Sequence, residues 1–138
     1  MKILFDTNIT VDILSNREPF CNDSIACYEN AILRGDKIYI STVSVADVMY
    51  LTRKHFSNIQ MQFKKVSDFL KTLRIAKVSK QDLMHAFSGS MSDFEDAVQA
   101  FCAKRHHIKY IVTRNVKDFK FSPVEAIEPA DFLQLCGR

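Results

Sequence analysis

Four carboxylates stand at positions where the chain could gather them around a metal ion. Asp6 directly follows the apolar run of residues 2–5, and Asp47 lies about one and a half turns into a helix predicted after the second strand. Asp93 and Asp96 are three residues apart, so they share one face of another predicted helix. Carboxylate oxygens suit Mg²⁺ and Mn²⁺, which usually keep several waters and engage phosphate groups. The pattern therefore points to metal-assisted chemistry on phosphodiesters.

A further polar segment follows the apolar residues 110–112, which are predicted to form a strand. It contains Thr113, Arg114 and Asn115, whose side chains would reach the same edge of a parallel sheet as the acids. Polar residues at such junctions are also common turn formers, so both roles fit them.

The acids also have structural roles open to them. Asp6 suits the N-cap of the helix that follows it. Asp47 could face solvent and pair with Arg53 or Lys54, although an unpaired carboxylate in so apolar a segment is costly unless something compensates it. Acids at the start of a helix are stabilised by the helix dipole whatever else they do. The combination of these positions, more than any one of them, favours a shared site.

The helix that carries Asp93 and Asp96 is predicted to begin at Ser92. Ser92 followed by Glu95 matches a capping box, so Glu95 is predicted to be structural. The small residues after Asp96, beginning with Ala97, would let this helix approach the sheet and bring Asp96 inward.

The hydrophobic pattern predicts strands that alternate with helices. Strands are predicted at 2–5, 37–40, 75–78, 110–112 and 125–127, and helices at about 8–14, up to 34, 42–56, 59–73, 80–87, 92–105 and 129–136. Such alternation predicts an α/β fold with a mostly parallel sheet covered on both faces. In that fold the carboxyl ends of the strands, and the acids that follow them, meet at one edge.

Length and composition are those of one globular domain. The 138 residues are 47 % hydrophobic and 25 % charged, with a net charge of +3, so we expect a single domain spanning 1–138. The mild charge permits contact with a polyanion without demanding it. The four cysteines lack zinc spacing and are expected to be reduced and mostly buried. Without a signal peptide or membrane-spanning run, a soluble cytoplasmic protein is predicted.

The sequence gives little support to other kinds of functional site. The three glycines form no phosphate-binding loop, and the four histidines have no partner spacing. A phosphoryl-receiving α/β domain would need adjacent acids after the first strand and a lysine after the last one. Here Thr7 follows Asp6, and residues 125–127 contain no lysine.

The chain resembles the PIN-domain ribonucleases, a family that includes the toxin nucleases of bacterial toxin–antitoxin operons. The resemblance rests on four blocks that follow the family's order over almost the whole chain: 4–8 with 12–14 and 17–20, then 41–54, then 93–97, then 111–115 with 117–119. It implies a three-layer α/β/α sandwich and Mg²⁺- or Mn²⁺-dependent cleavage of single-stranded or structured RNA.

The same resemblance implies a set of site residues. Asp6, Asp47 and Asp96 match the family's metal ligands, Asp93 is a possible accessory ligand, and Asn115 stands where many members have a fourth acid. The second acid is commonly Glu in the family, and this chain looks like a branch that has Asp. The missing fourth charge predicts one firmly held ion and a second recruited with substrate. All five residues are predicted to be catalytic.

Substrate contacts are predicted for a second group of residues. They are Asn8, Thr113, Arg114 and Arg53.

The leading prediction is a metal-dependent endoribonuclease, the toxin of a toxin–antitoxin pair, that leaves 5′-phosphate and 3′-hydroxyl ends. Asn115 and the modest net charge suggest the alternative, a catalytically weak or inactive RNA-binding or regulatory module on the same fold. Phe56, Met61, Phe63 and Phe69 exceed what one helix face needs. That strip either packs into the core or meets an antitoxin or a second copy of the chain.

Overall fold

The protein folds around one parallel β-sheet. The structure is a computed structural model that describes residues 1–137, and its strands are β1 (Lys2–Phe5), β2 (Lys37–Ser41), β3 (Arg74–Ala76), β4 (Tyr110–Val112) and β5 (Glu125–Ile127). Their order across the sheet is β3-β2-β1-β4-β5, and each neighbouring pair is parallel. The prediction of an α/β fold with a parallel central sheet is confirmed.

The helices that connect these strands agree with the predicted series. They are α1 (Thr7–Ser15), α2 (Cys21–Arg34), α3 (Thr42–Thr52), α4 (Ile59–Leu70), α5 (Lys80–Ser88), α6 (Phe94–Arg105) and α7 (Pro129–Leu135), with a 3₁₀ turn at Val116–Phe119. None of the helices within residues 1–137 is long and apolar enough to cross a membrane.

The end of α3 differs from its prediction by four residues. The helix ends at Thr52 instead of residue 56. The Thr52 hydroxyl donates to the carbonyl of Val48 at 2.7 Å and accepts from Gln62 of α4 at 3.1 Å. The first of these bonds lies within α3 and the second joins α3 to α4, and hydrophobic spacing alone predicts neither.

The sheet is the middle one of three layers because alternate residues of β1 point to opposite faces. Ile3 and Phe5 pack into a core with residues of α1, α2, α3, α4 and α7. Leu4, between them, packs against Ala100 and Ala103 of α6 on the other face. All three β1 side chains are fully buried, as expected for a central parallel strand with a continuous apolar sequence. The three-layer α/β/α sandwich is confirmed.

The strand order places a reversal of direction beside β1. From β1 the chain proceeds through β2 to β3 on one side, and later through β4 to β5 on the other. Open α/β sheets bind ligands at the carboxyl ends of the strands flanking such a reversal, here β1 and β4. Asp6 follows β1, and its backbone N–H donates to the carbonyl of Val112 in β4 at 3.0 Å. Thr113 follows β4, so both residues lie at this point.

The apolar strip predicted around α4 is partly used by the core. The ring of Phe69 lies 5.1 Å from that of Tyr28 and packs against the core of this face. Met61 and Phe63 are exposed.

Candidate metal centre

A cleft of about 390 Å³ opens at the carboxyl edge of the sheet. Its wall contains the four predicted acids together with Asn8 and Asn115. The complete lining is Asp6, Thr7, Asn8, Val11, Arg17, Asp47, Leu51, Asp93, Glu95, Asp96, Asn115 and Asp118. The fold thus brings together residues from both ends of the sequence.

Asp6 is the most firmly oriented acid of the cleft, and it is 5 % exposed. Its Oδ1 accepts from the backbone N–H of Thr7 at 2.7 Å and from Nε2 of Gln99 at 3.0 Å. Its Oδ2 accepts from the hydroxyl of Thr113 at 2.7 Å and from Nδ2 of Asn8 at 3.3 Å. The bond to Thr7 makes Asp6 the N-cap of α1 as well. Both roles considered for this residue, cap and candidate ligand, are therefore compatible.

A buried polar network supports Asp6 from behind. The Ser41 hydroxyl donates to Oε1 of Gln99 at 3.3 Å, which leaves the Gln99 amide nitrogen free to bond Asp6. The hydroxyls of Thr7 and Ser44 share a further hydrogen bond. The sequence analysis missed this network, although a glutamine within the small apolar residues 97–100 was a possible signal.

The start of α6 corrects the predicted cap. Asp93, not Ser92, is the N-cap, and its Oδ1 accepts from the backbone N–H of Asp96 at 2.9 Å. The capping box predicted for Ser92 and Glu95 is therefore wrong. A carboxylate one residue further along takes the capping role, because it reaches the N–H three residues ahead as well as a serine would.

Glu95 consequently faces the cleft instead of closing the helix. A hydrogen bond between its carboxyl and that of Asp47, helped by burial and by the negative charges of Asp47, Asp93 and Asp96, raises the pKa of Glu95 to about 8. Two carboxyls can share a hydrogen bond only while one of them keeps its proton. Glu95 thus keeps its proton at neutral pH, beside the carboxyl of Asp47.

Asp96 lies deeper in the cleft and is half-buried. Burial, followed by the charges of Asp6, Asp93 and Asp118, raises the pKa of Asp96 to about 7. Asp118 entered the sequence analysis only within the block 117–119 of the family resemblance, yet it lines this cleft. Its contribution was missed because the 3₁₀ turn that carries it has no hydrophobic periodicity.

The mutual repulsion of these carboxylates is the observation that fits a divalent cation. Within residues 1–137 no three His, Cys, Asp or Glu side chains already converge closely enough to hold an ion by themselves. Mg²⁺ is commonly held by one or two carboxylates and completes its shell with water, so the open, acid-lined cleft suits such an ion. A cation there would relieve the repulsion that raises the pKa values of Asp96 and Glu95.

The remaining predicted contacts have different surroundings. Thr113 is fully buried behind Asp6, and its hydroxyl also accepts from the backbone N–H of Asn115 at 3.0 Å. The guanidinium of Arg114 pairs with buried Asp12, with Nε 2.7 Å from Oδ2. The guanidinium of Arg53 lies 3.8 Å from the ring centroid of Tyr50.

Comparison with known proteins gave the following matches. A family model described as "PIN domain" matches residues 2–117. Nothing among the curated proteins matches the chain. The structure is similar to that of VapBC2 from Rickettsia felis bound to a DNA fragment from their promoter, with 23 % identity, a TM-score of 0.71, and coverage of 93 % of this chain and 98 % of that chain. It is also similar to PAE2754 from Pyrobaculum aerophilum, with 12 % identity, a TM-score of 0.68, and coverage of 100 % and 91 %. At these identities the two structures support the fold.

Proposed function

Because this chain belongs to the PIN-domain family, we propose that it is a divalent-metal-dependent endoribonuclease. The observation that carries the proposal is the cleft in which Asp6 is oriented by four hydrogen-bond donors while further carboxylates surround it. An oriented acid among mutually repelling acids is the arrangement expected of a centre that works only once cations neutralise it.

The residues proposed to hold Mg²⁺ or Mn²⁺ are Asp6, Asp47 and Asp96, with Asp93 as an accessory ligand. A bound ion would supply an activated water and neutralise charge on the phosphodiester. The protein's own part is to keep the ligands in place. The four donors already engage the roughly four lone-pair sites of the Asp6 carboxylate, so an ion would have to displace the longest of these bonds, the 3.3 Å bond from Asn8.

The proton that Glu95 holds beside Asp47 makes the charge of the proposed centre depend on pH. In the absence of a cation the proton limits the repulsion between the two groups. Its loss would add a negative charge beside Asp47, so occupation of the centre should release protons near neutral pH. Asn115 contributes an amide to the cleft but no charge.

For its biological role we propose the toxin component of a toxin–antitoxin pair. Support comes from the family and from the similarity in fold to VapBC2. An antitoxin protein would be the partner, and the exposed Met61 and Phe63 of α4 are candidates for contact with it or with a second copy of the chain.

The test is cleavage of pooled cellular RNA by the purified protein with Mn²⁺ and with a chelator. We expect cleavage products with 5′-phosphate ends in Mn²⁺ and none with the chelator. Asp6→Asn should lower the rate by at least about 100-fold, the upper range for disturbing a metal ligand's surroundings. Asp131→Asn, an exposed acid of α7, is the matched control and should cut like wild type. Equal rates for wild type and Asp6→Asn would refute the proposal.

Asn115 supports a second candidate function, an RNA-binding module with an incomplete centre. Its neutral side chain lines the cleft where another carboxylate would strengthen a cation site. Calorimetry with Mn²⁺ separates the two candidates. Salt-dependent RNA binding without any Mn²⁺ binding would favour the module.

A further inference from the structure

Arg17 is the one basic side chain in the cleft lining within residues 1–137. The other charged residues there are all acids: Asp6, Asp47, Asp93, Glu95, Asp96 and Asp118. A phosphodiester entering so acidic a cleft needs a cation to approach. The sequence analysis placed Arg17 in a family block but gave it no role.

The backbone holds Arg17 close to the end of α1. Asn16, which ends that helix, has a left-handed backbone with φ of 49°, and the Arg17 N–H returns to the carbonyl of Asp12 at 3.1 Å. The carbonyl of Arg17 in turn accepts from the N–H of Cys21 at the start of α2 at 2.8 Å. The residue is thus tied at both backbone groups, while its side chain is 38 % exposed.

The guanidinium of Arg17 is only loosely engaged within the protein. Its Nε lies 3.5 Å from Oδ1 of Asp12, which is long for a hydrogen bond between charged groups. Asp12 itself is fully buried and has a closer partner in Arg114. Arg114 contacts both oxygens of that carboxylate, at 2.7 and 3.3 Å, and lies over the ring of Phe20 at 3.9 Å.

Arg114 and Arg17 therefore have different roles. Arg114 neutralises the buried carboxylate of Asp12 and is fixed by it. Arg17, whose contact with Asp12 is longer, keeps donors available to the cleft. A guanidinium presents paired N–H donors that match two oxygens of a phosphate.

We infer that Arg17 binds a phosphate of the RNA at the cleft, and that Arg114 serves the fold. The inference rests on the proposed ribonuclease function and adds to it the residue that engages the substrate backbone. Arg114 and Arg53, which the sequence predicts as substrate contacts, each have a close partner within the protein, whereas the contact of Arg17 with Asp12 is longer.

The test measures RNA binding against salt in a background of Asp6→Asn, which keeps the RNA intact, with Mg²⁺ held constant. Arg17→Gln should weaken binding by about tenfold or more, the effect of losing a hydrogen bond to a charged group. It should also reduce the slope of log affinity against log salt by about 0.7, the value for one phosphate contact on a single strand. Arg17→Lys should keep the slope while losing part of the affinity, since it keeps the charge without the paired donors.

The matched control is Arg74→Gln, which removes the same charge from an exposed residue at the amino end of β3. Its salt slope should equal that of the parent. In the cleaving protein, Arg17→Gln should raise KM while changing kcat little, as expected for a contact made equally in the bound and transition states.

The outcomes separate this inference from the proposed function. An unchanged salt slope and an unchanged KM in Arg17→Gln, when the Asp6→Asn parent binds RNA and the wild type cuts it, would overturn the role of Arg17 alone. A wild-type protein that neither binds nor cuts RNA would overturn both. If Arg17→Gln does not fold, Arg17→Lys decides: wild-type affinity in that variant would overturn the paired-donor contact, and a reduced affinity with an unchanged slope would support it.

Discussion

The side-chain amide of Gln99 donates a hydrogen bond of 3.0 Å to Oδ1 of Asp6, joining the middle of α6 to the end of β1. Gln99 is 1 % exposed, so this bond is sheltered from water. Its carbonyl oxygen is occupied by the Ser41 hydroxyl, which determines that the nitrogen and not the oxygen faces Asp6. The orientation of the proposed metal ligand therefore depends on a residue that never enters the cleft.

Gln99→Met should weaken the proposed metal centre without emptying the core. Methionine has a similar length but cannot donate to Asp6, and loss of such a supporting bond commonly lowers metal affinity or activity by about 10–100-fold. The measurement is the Mn²⁺ concentration that gives half-maximal RNA cleavage, which should rise by that factor.

Gln62→Met provides the comparison. Gln62 is also buried, and its Nε2 donates to the carbonyl of Met49 and to the Thr52 hydroxyl, neither of which bonds to Asp6. This variant should lose stability while its Mn²⁺ requirement stays at the wild-type value. A shift of equal size in both variants would mean that Gln99 acts only through general stability.

The stability of the metal-free protein should fall as pH rises. The pKa of Asp96 is raised to about 7 and that of Glu95 to about 8, whereas the unfolded chain titrates these groups near 3.8 and 4.5. Between the unfolded and the folded pKa values of these two groups, the folded state binds more protons than the unfolded state. Each unit of pH in that range therefore lowers the free energy of unfolding, and the loss is complete above about pH 8. Thermal unfolding in a chelator, measured from about pH 5 to about pH 9, checks this trend.

Asp96→Asn should reduce the loss of stability that the metal-free protein suffers as pH rises. The variant lacks one of the repelling charges, so its melting temperature in a chelator should exceed that of wild type by a few degrees above about pH 8, and the difference should shrink toward about pH 5. Adding Mn²⁺ should stabilise wild type more than the variant. A difference that does not change with pH would show that the ionisation of Asp96, which burial and the neighbouring acids disfavour, is not its cause.

Arg114→Met should destabilise the protein even though Arg114 is partly exposed. The change leaves Asp12 buried with only the longer contact to Arg17. Breaking a buried pair on one side costs roughly 3–5 kcal/mol, and the remaining contact places our expectation at the lower end of that range. Urea unfolding measures it. Arg53→Met, which removes a surface cation that lies on Tyr50, should change the free energy of unfolding by at most about 0.5 kcal/mol.

The order of strands and helices could be predicted because local pattern and burial agree in this chain. The run Ile3 to Phe5 is apolar on every residue, as a strand covered on both faces must be, and Gly35 ends α2 in the left-handed conformation that glycine favours. The position where α3 ends was not predictable, because it coincides with the bonds between Thr52 and Gln62 that form only after α3 and α4 have packed.

The acids of the candidate site could be predicted from the sequence. The side chain that orients Asp6 and the cation that lines the same cleft could not. Asp6 directly follows β1, Asp47 lies within α3, which directly follows β2, and Asp96 lies near the start of α6, so their meeting at the cleft follows from the topology. Gln99 was hidden in an apolar stripe, where only the three-dimensional packing shows that it points at Asp6. Arg17 lies in a turn without a hydrophobic pattern. Its availability to the cleft depends on the closer pairing of Asp12 with Arg114, which the sequence does not reveal.

The bond between Asp6 and Thr113 joins residues 107 positions apart, and it has a consequence for the synthesis of the protein. A growing chain that has not yet added β4 already contains every acid proposed as a metal ligand. It still lacks the hydroxyl that orients Asp6 and the strand that covers one side of β1. The proposed metal centre would therefore acquire its geometry only after β4 has been synthesised and has paired with β1.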